Sequence, residues 1–387
     1  MRFPEFSGEW NKYTINDLAT VVGGGTPDTT VKSYWGGDIQ WFTPSEIGKN
    51  KYVDFSKRTI TRDGLDNSSA KLLPLHTILL SSRATVGECS IASNECTTNQ
   101  GFQSLIAKQC NIDFLYYLIQ TKKKDLIRNA CGSTFLEISA NEIRKIKVAV
   151  PVQNEQEQIA KLLSLIDERI ATQNKIIEDL KKLKSAISKY LFARKDLLET
   201  TICLSNIATL KNGYAFQSGK YNALGKWKIL TITNVSGERY INDEDCNCII
   251  NLPNDIQDHQ VLKEGDILIS LTGNVGRVSL CKNGNYLLNQ RVGLLQLAKN
   301  VNQEFLYQIL SSQRFENSMI ACGQGAAQMN IGKGDVENYV LPYSSNGNNI
   351  LFAAKILHSY DECIINELRR LTLLTMQKQY LLTQMFI

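Results

Sequence analysis

Long hydrophobic runs are missing from this chain: its most apolar stretches, such as LLPLHTILL, fall far short of the roughly 18 residues a membrane-spanning helix needs. The opening residues MRFPEFSGEW lack the apolar core of a secretory signal, so a cytoplasmic protein without membrane contact is expected. Histidine is scarce, at three in 387 residues, and the ten cysteines are scattered singly apart from Cys246-Asn-Cys248. Structural zinc requires four Cys or His ligands gathered at short spacing. The thiols therefore read as reduced and mostly buried, as in a reducing compartment. An excess of one charge is lacking too. The formal net charge of +5 divides into +3 for residues 1–150, +1 for 151–199, zero for 200–342 and +1 for 343–387. Proteins that grip DNA unaided usually carry a stronger basic bias, because phosphate neutralisation supplies most of their affinity. If this chain reads DNA, it has help in holding the backbone.

Catalytic signatures are likewise absent. The segment VVGGGTPDTT, residues 21–30, has no Lys and Ser/Thr after its last glycine, and GAAQMNIGKGD has the wrong spacing, with Gly334 where Ser or Thr is required. Asp28 stands where a dinucleotide-binding fingerprint needs its third glycine. A strand-to-loop turn with exposed backbone donors is the expected role of these glycines. Pro27-Asp28 is not followed by the Asp/Glu-x-Lys of a nuclease, and no Asn/Asp-Pro-Pro-aromatic signature of a base methylase occurs. Nor is there a serine elbow, a His-Glu-x-x-His helix or a histidine beside a candidate nucleophile. The chain reads as non-catalytic.

What the chain does contain is a repeat. TILLSSRATVGECSI begins at Thr77 and DILISLTGNVGRVSL at Asp266, each an apolar run, a polar turn, Val-Gly and a second apolar run, the pattern of two strands joined by a loop. Val86-Gly87 matches Val275-Gly276 at an offset of 189, Asn99-Gln100 matches Asn289-Gln290 at 190, and Phe114-Leu115-Tyr116 matches Phe305-Leu306-Tyr307 at 191. Pro151 and Pro342 also stand 191 apart. A unit this long is a whole domain, since solenoid periods are roughly 20 to 50 residues. Two repeated α/β (α+β) domains are expected.

After each of those prolines the text becomes helical. Ile159, Ile166, Leu180 and Ile187 keep a spacing of seven with Gln173 in one slot, and Leu163, Ile170, Ile177 and Leu191 fill the positions four residues on. The distal copy has Ile350, Leu357, Ile364 and Leu371, flanked by Ala354 and Leu368. The first stripe runs about 50 Å at 1.5 Å per residue, and a lone helix cannot bury it. Two long helical regions packed as an antiparallel coiled coil between the domains are therefore expected.

The repeated loops are rich in side chains suited to base edges, where Arg matches guanine and Asn or Gln matches adenine. The first domain offers Ser82, Arg83 and Thr85 in SSRATVG and Asn99, Gln100 and Gln103 in TTNQGFQS, with Lys32 and Trp35 upstream. The second offers Thr272, Asn274, Arg277, Asn289, Gln290 and Arg291, with Tyr214 upstream.

GGGTPDTTVKSYWGGDIQWFTPSEIG, followed by PVQNEQEQIAKLLSLIDERIATQNKIIEDLKKLKSAISKYLF, resembles the specificity (S) subunits of type I restriction-modification systems, and the likeness runs the length of the chain. The resemblance implies target recognition domains at 1–150 and 200–342, a central helical spacer at 151–199 and a distal helical region at 343–387. It implies double-stranded DNA, two methyltransferase (M) subunits and restriction (R) subunits as partners. No cofactor is expected in this chain, with S-adenosylmethionine, ATP and Mg carried by the partner subunits. PVQNEQEQIAKLL becomes PYSSNGNNILFAAKIL in the distal copy, losing its Glu-Gln pair. A protein–protein scaffold built on the coiled coil is the rival reading, favoured by the neutral second domain; the loop sets and the resemblance favour DNA.

Overall fold

The computed structural model describes residues 2–132, 136–323 and 329–386. The chain divides into two compact units, one of Met1–Asn174 with Arg370–Ile387, the other of Lys175–Arg369.

In the first unit the strands are β1 (Asn11–Thr14), β2 (Ala19–Gly23), β3 (Trp35–Phe42), β4 (Tyr52–Val53), β5 (Arg58–Ile60), β6 (Ile78–Leu80), β7 (Cys89–Ala92), β8 (Cys96–Thr98), β9 (Gln103–Ala107) and β10 (Lys147–Val150). They form a five-stranded sheet in the order β2-β9-β6-β7-β4, a three-stranded sheet β5-β3-β8 and a ribbon β1-β10. The ribbon is antiparallel with Asn11 opposite Val150, so the start of the globular part is pinned to its end. The TILL…CSI phrase is the antiparallel pair β6/β7, as its pattern predicts, with Ile78 opposite Ile91.

The second unit repeats the plan. Its strands are β11 (Thr200–Cys203), β12 (Ala208–Asn212), β13 (Trp227–Leu230), β14 (Asn247–Ile249), β15 (Val261–Leu262), β16 (Ile267–Ser270), β17 (Val278–Leu280), β18 (Tyr286–Leu288), β19 (Val292–Leu297) and β20 (Val340–Tyr343). They make sheets β12-β19-β16-β17 and β14-β13-β18-β15 and the ribbon β11-β20. The sheets β5-β3-β8 and β14-β13-β18-β15 correspond, each containing a parallel pair, β3 with β8 and β13 with β18.

The sheets that carry β6/β7 and β16/β17 are each covered by a helix that begins on the same cap. Asn111 accepts from the Phe114 amide at 3.0 Å to start Ile112–Thr121, and Asn302 accepts from the Phe305 amide at 2.8 Å to start Gln303–Leu310. Such caps are worth about 1 kcal/mol. Phe114, Leu115 and Tyr117 in one core, and Phe305, Leu306 and Tyr307 in the other, are buried against the sheet and the long helices.

The central helix, Gln153–Ala193, and the distal helix, Gly347–Met385, each contribute to both units. Ile159, Leu163, Ile166, Gln173, Ile177 and Leu191 are buried along one stripe, following the heptad register. In the first unit Trp10 donates to Glu155 at 3.3 Å and packs on Phe386, while Asp167 pairs with Lys378 at 2.7 Å. In the second, Lys184 pairs with Asp361 at 2.6 Å and Asn349 donates to the Leu197 carbonyl at 3.0 Å. Residue numbers fall on one helix as they rise on the other, so within each unit the helices run antiparallel.

Two expectations need correction. The ten cysteines are free thiols, but only Cys89, Cys96, Cys110 and Cys281 are buried, and Cys131, Cys322 and Cys363 are exposed. The glycine-rich segment does not present a row of free donors. The Gly25 amide donates to the Thr98 carbonyl at 2.8 Å, and a Cβ on Gly24 would lie 2.0 Å from the Asn99 carbonyl oxygen. These glycines are there for close backbone approach.

Candidate functional site

The sequence-predicted loop residues of each domain lie along one backbone frame that the two domains build alike, with Lys32, Trp35 and Tyr214 outside it. In the first, the Ser81 amide donates to the Glu88 carbonyl at 2.8 Å, its Oγ donates to the Arg83 carbonyl at 2.9 Å, and the Gly87 amide returns to the Ser81 carbonyl at 3.1 Å. In the second, Ser270 makes the same three contacts with Arg277, Thr272 and Gly276, at 2.9, 3.2 and 3.0 Å. The turn needs positive φ at Ala84 (60°) and Gly87 (88°), and correspondingly at Gly273 (70°) and Gly276 (78°). A second loop docks beside it. The Ser82 amide donates to the Gly101 carbonyl at 2.8 Å, and the Leu271 amide to the Arg291 carbonyl at 3.0 Å.

That second loop is an Asx turn in both copies. Asn99 Oδ1 accepts from the Gly101 amide at 2.9 Å, and Asn289 Oδ1 from the Arg291 amide at 3.2 Å. Gly24 and Gly213 let the upstream chain lie on it: a Cβ on Gly213 would sit 2.1 Å from the Asn289 carbonyl oxygen. The tip residues, Gln100 and Gln290, are exposed. Gln100 Oε1 accepts from Thr26 Oγ1, which ties the tip to the glycine-rich segment.

On this shared frame the side chains differ. Arg83 stands where the second copy has Thr272, Thr85 where it has Asn274, and Gly101 where it has Arg291. Thr85, Asn274 and Arg291 are exposed. Arg83 is half-exposed beside Glu137 at 2.8 Å, a charge contact without an aligned N–H···O bond, and Arg277 lies 3.5 Å from Glu316. Exposed pairs of this kind are worth under about 1 kcal/mol, so another acceptor can replace the carboxylate at small cost.

The structure moves some candidates inward. Ser82 is fully buried, because its position in the repeat is that of the core residue Leu271, and its Oγ has no hydrogen-bond partner among the described residues. It supports the loop and does not reach outward. Gln103 is half-buried on β9 opposite Gly23, and its Oε1 and the Thr272 Oγ1 are buried and unpartnered among the described residues. Asn99 and Asn289 use their Oδ1 atoms to shape their own turns.

Upstream, Lys32 is exposed at the start of a short turn, and Trp35 donates from Nε1 to the Asp28 carbonyl at 3.1 Å. Thr30 donates twice to Asp28, which holds that carboxyl below its ordinary range. Tyr214 donates to Asp255 at 2.8 Å, which raises its phenol and keeps it protonated. It lines a cleft of about 440 Å³ with Phe216, Lys220 and Tyr221.

Sequence reasoning missed the buried cations that tie each domain to a long helix. Lys51 Nζ lies 2.8 Å from Asp113, donates to Ser164 of the central helix at 2.6 Å, and sits 4.8 Å from the Tyr117 ring. In the second unit Arg239 lies 2.6 Å from Glu304 and 3.0 Å from Asp361 of the distal helix, with Tyr307 at 5.1 Å. Burial alone would raise the Glu304 carboxyl, but hydrogen bonds from Arg239 and Gln308 bring it below its ordinary value. The signal was available: Lys51-Tyr52 and Arg239-Tyr240 stand 188 apart and Asp113 and Glu304 stand 191 apart.

Among the described residues no group of three or more His, Cys, Asp or Glu side chains could hold a metal ion, and no helix is long and apolar enough to cross a membrane.

Comparison with known proteins places this duplicated architecture. The family profile described as "Type I restriction modification DNA specificity domain" matches residues 7–182 and again 199–375. The type I restriction enzyme MjaIX specificity subunit of Methanocaldococcus jannaschii is 38% identical over 192 residues, covering 48% of this chain and 44% of that protein. The EcoR124I/EcoR124II specificity subunit of Escherichia coli is 28% identical over 206 residues, covering 51% and 50%. In these alignments the chain spans about half the length of the curated relatives it matches. The crystal structure of a type I restriction-modification S subunit from M. genitalium superposes with a TM-score of 0.58 at 18% identity, covering 100% of this chain and 99% of that one. A chain from a study of complex assembly in the type I R-M system superposes at 0.61 with 13% identity, covering 99% and 98%. With the domain matched twice over most of its length, this chain belongs to the family of type I restriction-modification DNA specificity proteins.

Proposed function

We propose that this chain is the non-catalytic DNA-recognition subunit of a type I restriction-modification complex, reading a split double-stranded target with one half-site per domain. The observation that carries the reading is the duplicated loop frame. The same backbone hydrogen bonds present Arg83, Thr85 and Gly101 in one domain and Thr272, Asn274 and Arg291 in the other. Two different base sequences are thereby matched to one geometry.

Methyltransferase subunits would dock on the long helices, and restriction subunits would join through them. S-adenosylmethionine, ATP and Mg would be bound by those partners. Exposed apolar side chains support a docking role: Leu373, Met376 and Tyr380 in the first unit, and Tyr190, Leu351 and Phe352 in the second. The Glu-Gln pair lost from the distal copy is not part of such a face. Glu155 is buried against Arg2 and Trp10, and Gln156 is buried against Asn111 and Pro151.

The test is to map methylated adenines in cells with and without this gene, then to titrate duplexes carrying the motif by gel shift at fixed salt. Expected are a bipartite motif that depends on the gene, and tight binding only when methyltransferase subunits are present, since the chain supplies few cations of its own. Gene-independent methylation, with equal binding of all duplexes by the complex, would refute the reading and leave the scaffold alternative.

A further inference from the structure

We propose that Arg58 reads a guanine base in the first half-site, using Trp35 as its platform; this rests on the DNA-reading function proposed above. Arg58 opens β5 and lies opposite Trp41 of β3. Its guanidinium carbon is 3.6 Å from the centre of the Trp35 ring and 5.4 Å from that of Trp41. The first distance is van der Waals contact, so the guanidinium lies against the face of the indole.

The platform is rigid. Trp35 is held by its hydrogen bond to the Asp28 carbonyl and by edge contact with Trp41, ring centres 5.1 Å apart. Trp41 is buried and donates from Nε1 to the Gly25 carbonyl at 2.9 Å. Both anchors lie in the 24–30 segment, which also binds the exposed tip Gln100 through Thr26. The platform of Arg58 and the loop tip are thus anchored to one segment.

Its charge is not engaged elsewhere. Arg58 is exposed and has no carboxylate partner among the described residues, whereas Arg62 pairs with Asp66, Arg83 with Glu137 and Arg277 with Glu316. A guanidinium stacked by its face keeps its N–H donors in plane and pointing outward. Two parallel donors match guanine O6 and N7, and lysine cannot reproduce that fork. Because the side chain is already ordered by the stack, binding costs less rotamer freedom than it would for a solvated arginine.

The experiment uses the full chain with its methyltransferase subunits and a library of randomised duplexes, selected by binding and read by sequencing. The wild-type complex should show one guanine position in the first half-site whose preference falls roughly 5- to 150-fold in Arg58→Ala, equivalent to 1–3 kcal/mol. Arg58→Lys, which keeps the charge, should lose the same preference. The remaining positions of the first half-site, read in the same molecules, should stay unchanged and so report that the first domain is folded in both variants, and the second half-site should be unaffected. The proposal is overturned if the guanine preference survives Arg58→Ala. It is equally overturned if Arg58→Lys restores it, or if all sequences weaken alike, which would mark a phosphate contact. A wild-type complex that selects no sequence at all would instead refute the DNA-reading function itself.

Discussion

Replacing Asp361 with Ala should destabilise the second unit more than any surface change on the helices. Asp361 sits in the heptad seam, almost fully buried, with Lys184 at 2.6 Å, Arg239 at 3.0 Å and the Gln308 amide at 2.6 Å. Removing the carboxylate leaves two cations facing each other in a poorly solvated site. Breaking a buried pair by deleting one partner costs about 3–5 kcal/mol. Arg239 keeps Glu304 at 2.6 Å, which points to the lower end, about 3 kcal/mol. For a unit of roughly 195 residues, with 2–4 °C per kcal/mol, the melting temperature should drop by about 6–12 °C. Scanning calorimetry and urea titration measure this, with Lys181→Ala as a control, since its pair with Glu238 is exposed and worth little. Combining Asp361→Ala with Lys184→Met should recover part of the loss, because Lys184 has no second carboxylate partner among the described residues while Arg239 keeps Glu304. A cost below about 1 kcal/mol for Asp361→Ala, or a double variant weaker than the sum of its parts, would show that water reaches the site and that the burial argument is wrong.

Other outcomes test the loop frame and the ion pairs. Gly213→Ala places a Cβ 2.1 Å from the Asn289 carbonyl oxygen, so it should cost at least about 1–3 kcal/mol by urea titration and blur only the second half-site in methylation maps. Arg291→Ala, at an exposed position, should relax one base of the second half-site by about 1–3 kcal/mol and leave stability within about 0.5 kcal/mol. Hydrogen bonds from Lys228 and Lys282 hold Asp243 well below the usual carboxylate range. Its folded pKa lies under its unfolded one, so its contribution is present above the unfolded value, near about 4, and is lost as the pH falls through the folded value. Melting temperature followed from pH 7 to strongly acid should fall less steeply in Asp243→Asn than in the parent.

The heptad stripe was legible because burial along a helix repeats with a simple period, and even Gln173 stays inside the seam. Asp361 and Lys378 share that seam but are invisible to an apolar pattern, since only their partners Lys184 and Asp167 explain them. The repeat revealed the loops, yet choosing polar residues by type misplaced Ser82. Its alignment with Leu271 at the offset of 189 already marked the position as internal. Trp35 was readable as a candidate, while Arg58 was hidden. The two meet only through the β3–β5 pairing, whose register shifts between Trp35 and Ile39. Nothing local in SKRTI announces which strand will lie beside it.

The loop frame is built mainly from main-chain donors and acceptors, with Ser81 and Ser270 and the Asn side chains of the turns as its few side-chain members. Outward side chains such as those at 274, 290 and 291 make none of these hydrogen bonds. Mutations there are close to neutral for folding and yet alter what each domain presents. If these loops read bases as proposed, a population of such chains would drift among targets one base at a time without passing through unfolded intermediates. On the proposed reading, shape and choice of target would be inherited on separate residues.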